Sequence, residues 1–135
     1  MRYLYSLLLY LLTPLVLLRL LWRSLKTPAY RRRWGERFGF ITPLAADGLV
    51  WVHAVSVGEA QAAFPLIDWL RREKGLPVLV TTTTPTGSAR VRQRFGDDVF
   101  HVYLPYDLPD AVVRFFARAR PRLAVIMETE LWPNL

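Results

Sequence analysis

Residues 49–74 read LVWVHAVSVGEAQAAFPLIDWLRREK, and the fold turns on them. Leu49 to Val55 is a short apolar run of the kind that forms a buried strand. Glu59 to Lys74 has helical spacing, with Ala62, Ala63, Leu66, Ile67 and Leu70 on one side. Between them Ser56-Val57-Gly58-Glu59 makes a polar turn. The same alternation continues downstream. Strands are expected at Pro77 to Thr82, Val99 to Leu104 and Leu123 to Met127, with helices at Pro85 to Phe95 and Leu108 to Ala119. Strand–helix alternation implies a parallel sheet with right-handed crossovers and helices on its faces. The fold class is therefore α/β, four strands of a doubly wound domain. It is incomplete by the count of strands, so the chain is expected to be the N-terminal part of a longer protein.

Upstream of this unit the chemistry changes. Tyr3 to Leu18 carries no charge, and Arg19, Arg23, Lys26, Arg31, Arg32, Arg33 and Arg37 follow against the single acid Glu36. The net charge of +7 lies wholly in residues 1–37, because beyond them ten bases meet ten acids. The high isoelectric point thus marks a membrane-facing end and argues against nucleic acid as a partner. A helix needs about 20 apolar residues to cross a bilayer. Tyr3 to Trp22 reaches that length if Arg19 snorkels, with Tyr3, Tyr5, Tyr10 and Trp22 as interfacial anchors. The expected division is an anchor helix at 1–22, a basic juxtamembrane segment and connector at 23–48, and the α/β unit at 49–135. The charge follows the apolar run instead of preceding it, which argues against a cleaved leader. Anionic lipid is the expected partner, with the RRRWGERFGF stretch at the headgroups. The basic flank places the α/β unit on the cytoplasmic side. Spanning the bilayer and lying in its interface both remain open.

Open α/β sheets bind ligands beyond the C-terminal ends of their strands, where strand order reverses. Those ends are Ser56 to Glu59, Thr81 to Ser88, Pro105 to Asp107, and Glu128 to Glu130. With strand order 3-2-1-4, Glu59 faces Glu128 and Glu130 across the crevice, and the latter two share one side if the strand continues. A carboxylate on the first turn of a helix is held ionised, which suits a base acting on a reaction with a good leaving group. Glu59 as a plain partner of the helix dipole is the competing role. One glycine in Ser56 to Glu59 is too few for a dinucleotide fingerprint, and Thr81 to Ser88 lacks the P-loop lysine. Thr84 before Pro85 has the form of a helix N-cap, and its loop has hydroxyls and N–H groups for an anion. His53 and His101 fall inside strands, where packing is the expected role, and neither has the partners of a zinc site. There is no cysteine, hence no disulfide.

Four motifs, WVHAVSVGE (51–59), TTTTPTGS (81–88), HVYLPYD (101–107) and METELWPN (127–134), resemble the Kdo (3-deoxy-D-manno-oct-2-ulosonic acid) transferases of Gram-negative bacteria. The resemblance extends over essentially the whole chain. It implies a GT-B glycosyltransferase with two Rossmann-like domains, of which the N-terminal, acceptor-side one is represented here. It implies CMP-Kdo as donor, a tetraacylated lipid A precursor as acceptor at the cytoplasmic face of the inner membrane, and no bound metal or other cofactor. Glu59 corresponds to the family's proposed general base. Glu128 or Glu130 corresponds to an acidic residue of the ETELWPN motif. Ser56, Gly58, Thr84, Thr86, Gly87 and Ser88 fall in the motifs expected to line the acceptor cleft. Arg31, Arg32, Arg33 and Arg37 are assigned to the phosphorylated lipid on charge alone. The donor domain would follow Leu135, so the chain by itself is expected to be inactive and its sheet edge exposed. A membrane-anchored α/β scaffold, or a related glycosyltransferase with another lipid acceptor, would share many of these features.

Overall fold

The computed structural model describes residues 1–128 and 132–135. Helix α1 (Arg2–Lys26) comes first, continuing past Trp22, and is long and apolar enough to cross a membrane. Two 3₁₀ turns, Pro28–Arg31 and Trp34–Phe38, lead into the α/β unit. Its elements are β1 (Val50–His53), α2 (Val57–Arg72), β2 (Val78–Thr82), α3 (Pro85–Phe95), β3 (Phe100–Tyr103), α4 (Pro109–Ala119) and β4 (Leu123–Ile126). Among the described residues all pairings are parallel, and the order is β3-β2-β1-β4.

The central strands are apolar on both faces because both faces are covered. Val50, Val52, Val78 and Val80 point to one layer, where they meet Ala60, Ala63, Ile67 and Leu70 of α2 and Val91 and Phe95 of α3. Trp51 and Leu79 point to the other, against Phe115 and Ala119 of α4 and Ile41 and Leu44 of the connector. The buried stripe of α2 differs from the one read from sequence. Ala62 is exposed and Leu66 only half-buried, because the helix begins at Val57 and turns Ala60 inward.

Polar atoms inside the sheet are paired. Thr81 Oγ1 accepts the Trp51 indole N–H at 2.8 Å and lies 2.8 Å from His53 Nδ1. His53 is fully buried, in keeping with a packing role. The β4 edge is less covered, with Leu123 54% exposed. On the opposite edge the Trp34–Phe38 turn lies against β3 and α4. Gly39, directly after it, has φ +79°, and a Cβ there would stand 2.2 Å from the Ala111 carbonyl oxygen. A side chain at that point would collide with the α4 backbone.

Candidate functional site

The β1–α2 turn is built by a reciprocal cap. Ser56, in extended backbone, is the N-cap of α2 and its Oγ accepts the Glu59 N–H at 3.4 Å. The same hydroxyl donates to Glu59 Oε1 at 3.0 Å, and the Val55 N–H donates to Glu59 Oε2 at 2.8 Å. This is the S-x-x-E capping box, displaced by one residue on the acidic side. It fixes the half-buried Glu59 carboxylate at the head of α2. Each oxygen takes one such bond among the described residues, and a carboxylate oxygen has two lone pairs, so capacity to accept a proton remains. Gly58 leaves the space above open: a Cβ there would meet only Ser56 Oγ, at 3.9 Å.

The β2–α3 turn packs beside it. Thr84 caps α3, its Oγ1 accepting the Gly87 N–H at 3.1 Å and the Thr86 hydroxyl at 3.3 Å. Thr83 donates its N–H and its hydroxyl to the Val55 carbonyl, at 3.4 and 3.2 Å. A Cβ on Gly87 would lie 3.6 Å from the Ser56 carbonyl carbon, so the heads of α2 and α3 touch. Ser56, Gly58, Glu59 and Thr84 thus share one face, with Thr86 exposed at its rim and Gly87 buried beneath it. Ser88 does not join it. It is buried and accepts Arg33 Nη1 at 2.9 Å.

On the other side of β1, the Met127 N–H donates to the His53 carbonyl at 2.9 Å, which keeps the β4 end beside the β1 end. Strand order reverses here. Glu128 is exposed with φ +63°, so the extended conformation stops at it, and the alternation that would align Glu128 with Glu130 does not apply. Glu130 lies outside the described residues.

The basic segment divides. Arg31 and Arg32 are exposed, as expected for lipid-facing residues. Arg33 and Arg37, expected at the headgroups with them, face the sheet instead. Arg33 adopts left-handed backbone, pairs with Glu36 at 2.7 Å, and donates to Ser88 Oγ and the His101 carbonyl. Arg37 is 5% exposed and donates to the Thr83 carbonyl at 2.9 Å. The two guanidinium groups lie 4.5 and 4.2 Å from the Tyr103 ring centroid. Pairing with Glu36 and the bonds to Ser88, His101 and Thr83 offset the cost of desolvating the two guanidinium groups. His101 sits under this cluster, and burial, aided by Arg33 and Arg92, pushes its imidazole down to about 3.

A family model described as 3-deoxy-D-manno-octulosonic-acid transferase (kdotransferase) matches residues 32–135. The chain belongs to the Kdo transferase family. It is 46% identical over 99% of its length to a 3-deoxy-D-manno-octulosonic acid transferase of Haemophilus influenzae, covering 32% of that protein. It is 52% identical over 69% of its length to the transferase of the same name from Bordetella pertussis, covering 22% of it. The chain therefore spans about a third or less of these curated relatives. No solved structure matches it.

Two residues of this Kdo transferase family chain escaped the reading from sequence. Glu36 accepts the Tyr103 N–H on the β3 edge at 2.7 Å. Asn134 is buried and donates to Asp107 through its backbone and side-chain N–H groups, at 3.1 and 2.6 Å. Its Oδ1 accepts from Arg2 Nε and Ser6 Oγ at 3.1 and 3.2 Å. Their partners lie 67 or more residues away in most of these contacts, beyond the reach of local pattern. The cap at Ser56 had a local signal, S-x-x-E.

Proposed function

We propose that this chain is the acceptor-side part of an inverting GT-B glycosyltransferase that moves Kdo from CMP-Kdo to a lipid A precursor, without a bound metal. The observation that carries the reading is the position of Glu59. Its carboxylate is fixed at the head of α2, where strand order reverses between β2-β1 and β1-β4, with open space over Gly58. In this reading Glu59 takes the proton from a glucosamine hydroxyl of the acceptor. The oxygen forms a bond to the anomeric carbon of Kdo from the face opposite CMP, and the bond to the CMP phosphate oxygen breaks with its electron pair on CMP. Ser56, Gly58, Thr84 and Thr86 line the acceptor surface, and buried Gly87 lets the two turns that carry them meet. Glu128 flanks that surface, and Glu130 is carried over by motif. In this reading donor contacts lie outside the stretch matched here, and the 135-residue chain is expected to transfer nothing alone. Helix α1 and exposed Arg31 and Arg32 hold the protein to anionic lipid at the cytoplasmic face of the inner membrane.

The test is Kdo transfer from CMP-Kdo to a tetraacylated lipid A precursor by the full-length protein, its Glu59→Gln variant and the 135-residue chain. Transfer by the parent, with the variant folded and slowed about 10²- to 10⁴-fold, is expected for the loss of a general base. Unaltered transfer by Glu59→Gln would remove Glu59 from the chemistry. One observation favours a second reading, a membrane-anchored binding module: the cap alone accounts for a glutamate at position 59. A folded parent that binds the lipid and transfers nothing would establish that reading.

A further inference from the structure

Helix α1 is amphipathic in the sense opposite to that of a helix packed in water. Leu7, Leu11, Leu15, Leu18, Trp22 and Leu25 recur at helical spacing along one line, and each is 56–70% exposed. The opposite line carries Arg2, Ser6, Thr13 and Ser24, with Ser6 and Ser24 buried. Polar side chains face in and leucines face out, an arrangement that suits hydrocarbon outside and not water. Arg19, Arg23 and Lys26, four and three residues apart, form an exposed basic line on one flank.

The helix is also fastened at both ends to the same unit. Asn134 Oδ1 accepts from Arg2 Nε and Ser6 Oγ at 3.1 and 3.2 Å, and the Tyr10 hydroxyl donates to Asp110 Oδ1 at 2.5 Å. Asp110 lies in the first turn of α4, and Asn134 is held in turn by Asp107. At the other end Arg23 lies 5.5 Å from the Tyr30 ring centroid, and Arg33 and Arg37 then bond to Ser88 and Thr83. A helix of 25 residues is about 37 Å long, enough to cross a bilayer if it stands free. Fastened in this way it cannot. Spanning would carry Arg2 to the far side, part it from Asn134 and surround Ser6 and Thr13 with lipid.

We infer that α1 is mounted parallel to the membrane, its leucine line sunk in one leaflet of anionic phospholipid, with the N-terminus and the α/β unit on the same side. Charge complementarity names that partner. The apolar line is bordered by Arg19, Arg23 and Lys26 and followed by exposed Arg31 and Arg32, at the level of the lipid phosphates. This placement rests on the membrane attachment proposed above and is independent of Kdo transfer.

The experiment uses the full-length protein with any native cysteine replaced by serine. A cysteine in a short Gly-Ser extension ahead of Met1, or Lys26→Cys, is treated with a membrane-impermeant maleimide in sealed inner-membrane vesicles of either orientation. Both sites should label in vesicles with the cytoplasmic side outward and neither in the opposite ones. An N-terminal cysteine labelled only in the opposite ones overturns the inference. Nitroxide labels on cysteines at Leu7, Leu9, Leu11, Thr13, Leu15 and Leu18 are then read in phosphatidylglycerol vesicles. Oxygen accessibility should be several-fold higher at Leu7, Leu11, Leu15 and Leu18, all at one depth, than at Leu9 and Thr13. Leu17, also half-buried, serves if either inner variant does not fold. Depth that peaks at mid-helix and falls toward both ends is the spanning result and overturns the inference. Spin–spin broadening with oxygen excluded from the outer sites would mean that a second copy covers them, and overturns it too. Failure to sediment with vesicles would remove membrane attachment itself, whereas attachment with a spanning profile sinks this placement alone.

Discussion

Glu36 holds the Tyr103 main chain: its Oε2 accepts the Tyr103 N–H at 2.7 Å while the carboxylate pairs with Arg33. An edge strand normally leaves such N–H groups open to another chain. Here one acid closes that position and neutralises an arginine drawn in against the Tyr103 ring. Glu36→Gln keeps the shape and removes the charge. It should cost about 1–3 kcal/mol, because both side chains are mostly shielded from water and Arg33 would be left without its counter-ion. Urea unfolding of the full-length protein gives the number, and a midpoint equal to the parent's would show that the pair is dispensable.

Gly39→Ala should be more damaging. Left-handed backbone alone costs a non-glycine residue about 1–2 kcal/mol. The new Cβ would also sit 2.2 Å from the Ala111 carbonyl oxygen, forcing the turn away from α4. Gly48→Ala is the control, since it too has positive φ but nothing within 4 Å. Equal melting temperatures for the two variants would refute the close approach.

His101 gives the fold a pH dependence of defined sign. Its folded imidazole protonates only near 3, whereas the unfolded one does so near 6.5. Between those values the unfolded chain binds more protons, so stability falls as pH drops through that window. The steepest slope is about 1.4 kcal/mol per pH unit from this group. Above the window the contribution is flat. Chemical unfolding at several pH values should show the slope in the parent and lose it in His101→Gln; identical slopes would assign the dependence elsewhere.

Arg31 and Arg32 differ from Arg33 and Arg37 in what they touch, and vesicle binding should separate them. Each exposed arginine near an anionic surface contributes about 1 kcal/mol, or roughly fivefold in partition. Arg31→Ser with Arg32→Ser should weaken co-sedimentation with phosphatidylglycerol vesicles and leave the melting temperature alone. Arg33→Ser should do the reverse. A loss of vesicle binding in Arg33→Ser at unchanged stability would restore that residue to the lipid surface.

The order of elements was legible because the chain is punctuated. Thr84-Pro85 opens α3 where it was read, and apolar runs of four or five residues became the four strands in the expected order 3-2-1-4. The heads of α2 and α3 could be read as a site for the same reason: strand ends and caps are local. The fate of the arginines was not. Four similar side chains within seven residues are sorted by Glu36, Ser88 and Tyr103, and no periodicity reports which of them turns inward. The shared side of Glu128 and Glu130 was conditional on a continuing strand, and Glu128 takes a positive φ that no residue pattern announces.

The clasp at Asn134 also sets an order of events during synthesis. Ser6 and Asn134 are 128 residues apart, so at about 5–20 residues per second the first turns of α1 are made roughly 6–25 s before their partner. For that interval the helix has nothing of its own chain to grip and a full ring of leucines to hide. The nascent chain must therefore meet a lipid surface or a chaperone first, and docking onto the α/β unit is a late step in its biogenesis.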